Sequence, residues 1–477
     1  MKINKLIISS FAIFATMAVL PACKKSFVNL TPQGIIPVST SYTTEIDIRN
    51  ALTGTYSSLR PIYNEQYGFG EIPSDNAETY GESEALYGEQ DKLTWAPTST
   101  NLQNAWARYY ATIAYANIVL GHADTPPMSD ANRNSYKAQA KFLRALMYFN
   151  LVRMFGGVPL ILKELVTEEE AYTYLRATPA EVYAQIEKDL TEAAAVLPVS
   201  YTGTDIGRAT SIAANGLLGK VLMFQNKYTQ AEPVLAAVAA TSGTLLPFDQ
   251  VFGLGKDNSR EFIFSVQYLS GGYSEGNTFA RSFVPQPSGT TITTFVTGNS
   301  NNSGTRNLYN AFETGDNRLT TSIGTYASGT LNYYYAKKFV YSSVIGTSEG
   351  DNDWPVLRYG DVILLYAEAL NENGKTTEAL TQLNLVRTRA GLVGRTGLLQ
   401  AAARTAIRNE RRIELAFEAE RWFDLIRWNT YVEVMTAFKA GGSANGTIGA
   451  ITTTLNLFPI PLRERQLNPR LTQNPGY

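Results

Sequence analysis

Acidic side chains set among aromatic rings are the first residues in this chain that could do chemistry. Residues 71–91 hold Asp75, Glu78, Glu82, Glu84, Glu89 and Asp91, with Tyr80 and Tyr87 between them and Trp95 just beyond. Two carboxyl groups on opposite sides of a glycosidic bond would suffice to cleave it. Spacing along an irregular loop does not fix separation in space, so the acids read as solvated groups beside flat apolar faces. That combination suits sugar binding: rings for the C–H face of the sugar, and amides or carboxylates for its hydroxyls. A second acidic group, Glu410, Glu414 and Glu418, alternates with arginines up to Arg421 at three- and four-residue steps. Such a ladder predicts an ion-pair face that locks one helix to a neighbour, and the alternation argues against a nucleic-acid patch.

Other chemistry is largely closed off. The one histidine, His122, follows a helical stretch and precedes Pro126 and Pro127, which fits a capping or solvated role. Cys23 is the only cysteine, so no internal disulfide framework and no thiolate metal cluster can form. No cofactor and no metal is expected. With 41 basic and 42 acidic residues the formal charge is −1, and nothing in that balance steers the protein to nucleic acid or anionic lipid. Charged residues make up 17% and aromatics 11%, 28 of them Tyr, a composition that favours neutral, hydroxylated partners.

The leader is an address. Lys2 and Lys5 precede an uncharged, mostly apolar run over residues 6–20, about the length of a secretory h-region and too short to span a bilayer comfortably. Leu20, Pro21, Ala22 and Cys23 then read as a lipoprotein cleavage box. Residues 1–22 are expected to be the signal peptide and Cys23 the lipidated N-terminus of a tether reaching residue 45. Acylation at about 0.8 kcal/mol per buried methylene, with more than one chain, would hold the protein on a membrane without a transmembrane helix.

The elements that must position these residues are mostly helical. Apolar periodicity predicts a helix from Glu45 that Pro61 ends, an irregular stretch over 61–101, and helices carrying Trp106 and Phe142 on their inner faces. The second of these is apolar almost all round, with Lys137, Lys141 and Arg144 as a narrow polar stripe, and should be central and buried. Two later segments match position for position: Leu217, Leu222, Lys227, Ala231, Leu235 and Val238 against Leu365, Leu370, Lys375, Ala379, Leu383 and Val386. Each reads as helix, short turn, helix, the grammar of tetratricopeptide-like repeats. Between about 243 and 353 the helical period gives way to Gly, Ser, Thr and Asn with scattered aromatics, and short alternating runs predict strands. A long insert of this kind usually carries function. The expected fold is therefore mainly α: a tetratricopeptide-like helical-repeat bundle over 46–477 as one domain, with a loop-rich, aromatic-rich insert carrying short strands.

Three stretches resemble the SusD/RagB family: residues 141–160 (KFLRALMYFNLVRMFGGVPL), 408–428 (RNERRIELAFEAERWFDLIRW) and 457–461 (LFPIP), with fainter echoes at 51–56 (ALTGTY) and 74–77 (SDNA). Ala419–Glu420 departs from the commoner Gly followed by His or Gln, and Lys24-Lys25-Ser26 lacks the acids that often mark surface export in the family. The resemblance implies a non-enzymatic, outward-facing outer-membrane lipoprotein that captures oligosaccharide and hands it to a SusC-like TonB-dependent transporter. It also implies that the loop before the Trp106 helix supplies stacking aromatics. On that basis the sugar site is expected around Trp95 and Asn101, with Tyr80, Tyr87 and Asp75 nearby and Tyr273 or Trp354 from the insert. Should Trp95 instead plug the core, the run Tyr333, Tyr334, Tyr335 is the next expectation. A glycan-cleaving surface enzyme and a purely structural repeat scaffold are the alternatives.

Overall fold

The computed structural model describes residues 41–477 apart from 82–83, 242, 244, 272–273, 294–297, 341–348 and 442–447. The leader, Cys23 and Tyr273 lie outside the described residues.

Helix α1 (Glu45–Ser57) starts where the sequence predicts, because Thr44 and Asp47 form a capping box: the Thr44 side chain accepts the Asp47 N–H, and the Asp47 carboxylate accepts the Thr44 N–H at 2.9 Å. Pro61 does not end this helix. It sits in the first turn of the next short one, Arg60–Tyr63, where its missing N–H costs nothing. Helices α2 (Thr100–His122) and α3 (Asp130–Phe155) pack together, and every residue of α3 from Ala138 to Phe155 is buried except Lys141. The expected polar stripe is only partly solvated. Arg144 is buried and grips Asp189 of α4 (Pro179–Ala194) through two hydrogen bonds of 2.8 Å.

The two matching segments form the two predicted hairpins: α5 (Ser211–Phe224) with α6 (Tyr228–Thr241), and α7 (Tyr359–Glu372) with α8 (Thr376–Arg389). Their turns close alike. Asn226 and Gly374 take positive φ of 56° and 80°, and the Lys227 and Lys375 amides return to the Leu222 and Leu370 carbonyls at 3.0 and 2.8 Å. Helix α6 packs on α7, which joins the pairs into one bundle, so the fold is the mainly α, tetratricopeptide-like bundle expected.

Residues 408–428 are not one charged helix. Helix α9 (Gln400–Glu414) stops, Phe417 and Ala419 adopt positive φ of 68° and 61°, and α10 (Arg421–Arg427) begins after them. A buried carboxylate forces the break: Glu71 accepts the Phe417 and Ala419 amides at 2.9 and 3.1 Å. Gly70 makes the approach possible, since a Cβ there would stand 1.8 Å from the Ala419 carbonyl oxygen.

The insert, the strand after it and a short strand from the 61–101 stretch form two antiparallel sheets. One has four strands in the order β1 (Ala77–Glu78), β3 (Ser303–Gly304), β5 (Leu331–Ala336), β4 (Ile323–Ser328). The other pairs β2 (Phe262–Val266) with β6 (Trp354–Arg358). The acidic ladder fastens both to the bundle, so it works as a lock, though its partners come from outside its own helix. Arg358 reaches Glu418 at 2.7 Å, Glu261 at 3.0 Å and also Glu414; Arg318 reaches Glu410 at 2.7 Å and Glu414 at 3.0 Å; Lys338 pairs with Glu418. All of these groups are buried. Burial alone would raise the Glu414 carboxyl, yet Arg389, Arg358 and Arg318 hold it well below the usual carboxylate range.

Candidate functional site

The four-stranded sheet presents tyrosines on one face. Strands β4 and β5 form a hairpin in which Tyr326 stands opposite Tyr333, and Gly324 opposite Tyr335. Residues two apart on a strand share a face, so Tyr326, Tyr333 and Tyr335 lie together, and the Tyr335 ring crosses the space over Gly324. Tyr80 follows the edge strand β1 and brings its ring to 5.0 Å from that of Tyr333, at 60°. Tyr80, Tyr326 and Tyr333 are all half-buried, so their rings are backed by protein and keep a share of surface.

The hydroxyl groups of this shelf are tied down from below. Tyr80 donates to Glu78 Oε1 at 2.7 Å, and Tyr326 donates to the Pro287 carbonyl at 3.2 Å. Gln286 supplies an amide at the rim. Its Oε1 is 2.8 Å from where a Cβ on Gly81 would stand, and Gly81 turns there with φ of +64°. Glu78 and Asp91 are buried behind Tyr80, with Asp91 accepting the Thr79 hydroxyl at 3.0 Å and the Thr79 amide at 3.2 Å. Burial, and after it the Glu78 carboxylate, pushes Asp91 up to about 7 against those hydrogen bonds. Burial and the same two carboxylates hold the Tyr80 hydroxyl well above the ordinary phenol range. Chemically the arrangement is a set of ring faces edged by hydrogen-bond acceptors.

Of the expected site residues that the structure describes, only Tyr80 reaches this shelf. Trp95 is 4% exposed: its indole N–H donates to the Tyr477 hydroxyl and its ring packs 4.6 Å from Phe458 and 5.8 Å from Trp422. It fills the core under the loop, and no ring face is left for a ligand. Tyr87 is likewise buried, against Tyr67 at 5.3 Å. Asn101 is half-buried and braces the loop, its amide donating to the Leu86 carbonyl. Asp75 is buried between Arg421, at 2.8 and 3.0 Å, and Arg412, at 3.0 Å. Burial would raise its carboxyl, but the two guanidiniums outweigh this and hold it below its ordinary value. Trp354 is 1% exposed and stacks on Phe339 at 5.2 Å. Tyr333 comes from the run held as the next expectation. Glu78 is among the loop acids named from the sequence, whereas Tyr326 and Gln286 were missed, although the alternation on either side of Ser328-Gly329-Thr330 is a hairpin pattern that places Tyr326 across from Tyr333.

A deeper concavity is formed elsewhere by the bundle. A groove of about 580 Å³ runs between α2 and the short helix Leu462–Leu467, lined among others by Trp106, Tyr110, Ile161, Leu467 and Leu471. The groove holds two half-buried rings of its own, Tyr110, whose hydroxyl donates to the Pro159 carbonyl at 2.7 Å, and Tyr172, while Trp106 is 4% exposed. The shelf differs in bringing three partly exposed rings together, the arrangement a sugar ring stacks on. Among the described residues no cluster of three or more His, Cys, Asp or Glu could hold a metal ion, and no helix is long and apolar enough to cross a membrane.

Residues 311–477 match the model of the SusD family, and residues 37–223 match a family model described as starch-binding associating with outer membrane. The shelf draws Tyr80 from the second segment and Tyr326 and Tyr333 from the first. SusD-like protein P38 of Formosa agariphila is 27% identical, the match covering 100% of both chains. A solved laminarin binding SusD-like protein superposes with a TM-score of 0.79 at 30% identity, over 91% of this chain and 100% of the other. Surface glycan-binding protein A from Bacteroides uniformis superposes with a TM-score of 0.80 at 25% identity, over 90% and 99%. With the same bundle, the same insert and this likeness along nearly its whole length, the chain belongs to the SusD family.

Proposed function

We propose that this protein is a lipid-anchored, non-enzymatic glycan-binding protein of the outer membrane surface, which holds an oligosaccharide on the tyrosine shelf and delivers it to a SusC-like TonB-dependent transporter. The observation that carries the reading is the shelf itself: three half-buried rings side by side, two with their hydroxyls held in place, with the Gln286 amide beside Gly81. Relatives described as binding laminarin or surface glycans support it. So does the commitment of the loop acids. Asp75 is taken by two arginines and Glu71 by backbone amides, which leaves them poor candidates for the paired carboxylates that hydrolysis needs. The anchor is Cys23, and a single domain from residue 46 to 477 does the binding.

The decisive experiment is calorimetry on the glycan that binds best in an array. Replacing a hot-spot aromatic by alanine costs about 2 kcal/mol or more, so Tyr333→Ala should weaken binding by more than about tenfold with an unchanged melting temperature. Unaltered affinity would remove the shelf as the site, and turnover of the glycan by purified protein would make it an enzyme. Cys23→Ser should release the protein from membranes, and mild detergent should extract the native form together with a large barrel protein.

A further inference from the structure

We infer that the joint between the bundle and the 415–420 turn is built around one buried water molecule, bound by Gln66, Arg153 and Glu420. A cavity lies where α3, α5, β6 and the turn meet, and these three residues line it together with Tyr63, Leu217 and Trp354, among others. The space open to the centre of a water-sized sphere is about 10 Å³, enough for one water and too little for a sugar ring or a sulfate. Gln66, Arg153 and Glu420 are 2%, 8% and 8% exposed, and each has one buried polar atom with no hydrogen-bond partner among the described residues: Gln66 Nε2, Arg153 Nε and Glu420 Oε2. The rest of each group is committed. Gln66 Oε1 accepts from the Tyr109 hydroxyl at 2.8 Å, and Glu420 Oε1 meets the Lys220 ammonium at 3.0 Å. Arg153 donates to Asn150 at 2.7 Å and to Glu420 Oε1 at 3.4 Å, and its guanidinium carbon lies 4.0 Å from the centroid of the Phe423 ring.

An unanswered buried N–H or carboxylate oxygen costs more than an average hydrogen bond returns, so three of them around one water-sized space call for a shared partner. Their chemistry selects it. Gln66 Nε2 and Arg153 Nε donate, while Glu420 Oε2 accepts. Water can accept from both nitrogens and donate to the carboxylate at once, with one proton to spare. A halide ion would be repelled by Glu420 and by Glu418 on the same cavity wall, and a metal cation would face N–H groups and the Lys220 ammonium. The water gives the turn a second fastening. Glu71 already ties the Phe417 and Ala419 amides, and the water ties the Glu420 side chain to Gln66, in the segment just before Glu71.

The test is a crystal structure of the wild-type protein at a resolution that shows solvent, with a second crystal soaked in rubidium bromide. The expected result is a single water peak within about 3.2 Å of Gln66 Nε2, Arg153 Nε and Glu420 Oε2, with no anomalous signal at that place. In solution, magnetic relaxation dispersion of isotope-labelled water counts the long-lived buried molecules. Gln66→Leu, which puts an apolar side chain at the cavity, should lower that count by one, whereas Glu420→Gln keeps an acceptor oxygen and should leave it unchanged. Should Gln66→Leu not fold, the wild-type crystal decides alone. An anomalous peak from bromide or rubidium between the three groups would put an ion there and overturn the assignment. So would the three side chains bonded directly to one another with the cavity closed, or a water count that folded Gln66→Leu leaves as it was.

Discussion

Two regions of this molecule are crowded with the same kinds of side chain and use them in opposite ways. Beneath the 415–420 turn, Glu410, Glu414 and Glu418 meet Arg318, Arg358, Arg387 and Lys338 with all of them buried, and the groups answer one another. On the tyrosine shelf the Tyr80 and Tyr326 hydroxyls are held by protein acceptors, while these rings and that of Tyr333 are only half-buried. The first arrangement fixes position and the second leaves binding capacity. They are also joined. The Phe417 ring lies against Gly304 of β3, where a Cβ would come within 2.9 Å, and β3 pairs with β5, so the charge lock is the footing of the sheet that carries the tyrosines.

The hardest blow to this division of labour is Glu414→Ala. It removes the one carboxylate that Arg318, Arg358 and Arg389 share, leaving excess positive charge in the interior, and removing one partner of a buried pair costs about 3–5 kcal/mol, so urea unfolding should show a loss of that size. A loss below about 1 kcal/mol would mean that water reaches the lock. Next comes Trp95→Ala, which should cost about 3–5 kcal/mol as a cavity among Phe458, Trp422 and Tyr477. Any fall in glycan affinity should then track the fall in stability, the reverse of Tyr333→Ala; a clean affinity loss at constant melting temperature would return Trp95 to the site.

The pH profile separates two kinds of buried carboxyl by sign. Burial pushes Glu71 up to about 7 from 4.5, and Asp91 to about 7 from 3.8. Between those values the folded state keeps protons that the unfolded chain has released, so stability falls as pH rises from about 4.5 to 7. Glu414 and Asp75, held low by arginines, lose their contribution only in more acidic solution. Thermal melting should thus show a maximum near pH 5 and a decline toward pH 8 on the order of 1–3 kcal/mol, which Glu71→Gln should flatten. A rise over that range would contradict the assignment. The smallest expected effect is a gain. Ala419 sits at φ of 61°, so Ala419→Gly should stabilise by about 0.5–1 kcal/mol, read as a small increase in melting temperature.

That last position shows what the sequence could and could not disclose. Where the residues 408–428 resemble the family, Gly is commoner at 419, and the backbone there is left-handed, yet helical periodicity on both sides read straight through the break. Periodicity made the bundle legible: the hairpins at Leu217 and Leu365 follow from apolar spacing and a turn residue, all within a few dozen positions. The charge ladder was legible as a lock but not its partners, because Arg318 and Arg358 approach from elements remote in the chain. Tyr80 lies half-buried on the shelf and Trp95 lies in the core, for one reason. Exposure depends on what packs behind a ring, and for Trp95 that is Phe458 and Tyr477, nearly the whole chain away. Tyr333 surfaced because a hairpin is local and its alternation can be read.

The bond from Glu71 to the Phe417 amide joins residues 346 positions apart, and Asp75 to Arg421 spans the same distance. Loops of that length close late, because their entropy must be lost before any contact repays it. The acids beneath the shelf thus stay unanswered through most of synthesis, and the binding surface cannot set until the last quarter of the chain arrives. The sheet that carries the tyrosines therefore gains its footing only once residues 414–421 have met the loop from Glu71 to Asp75.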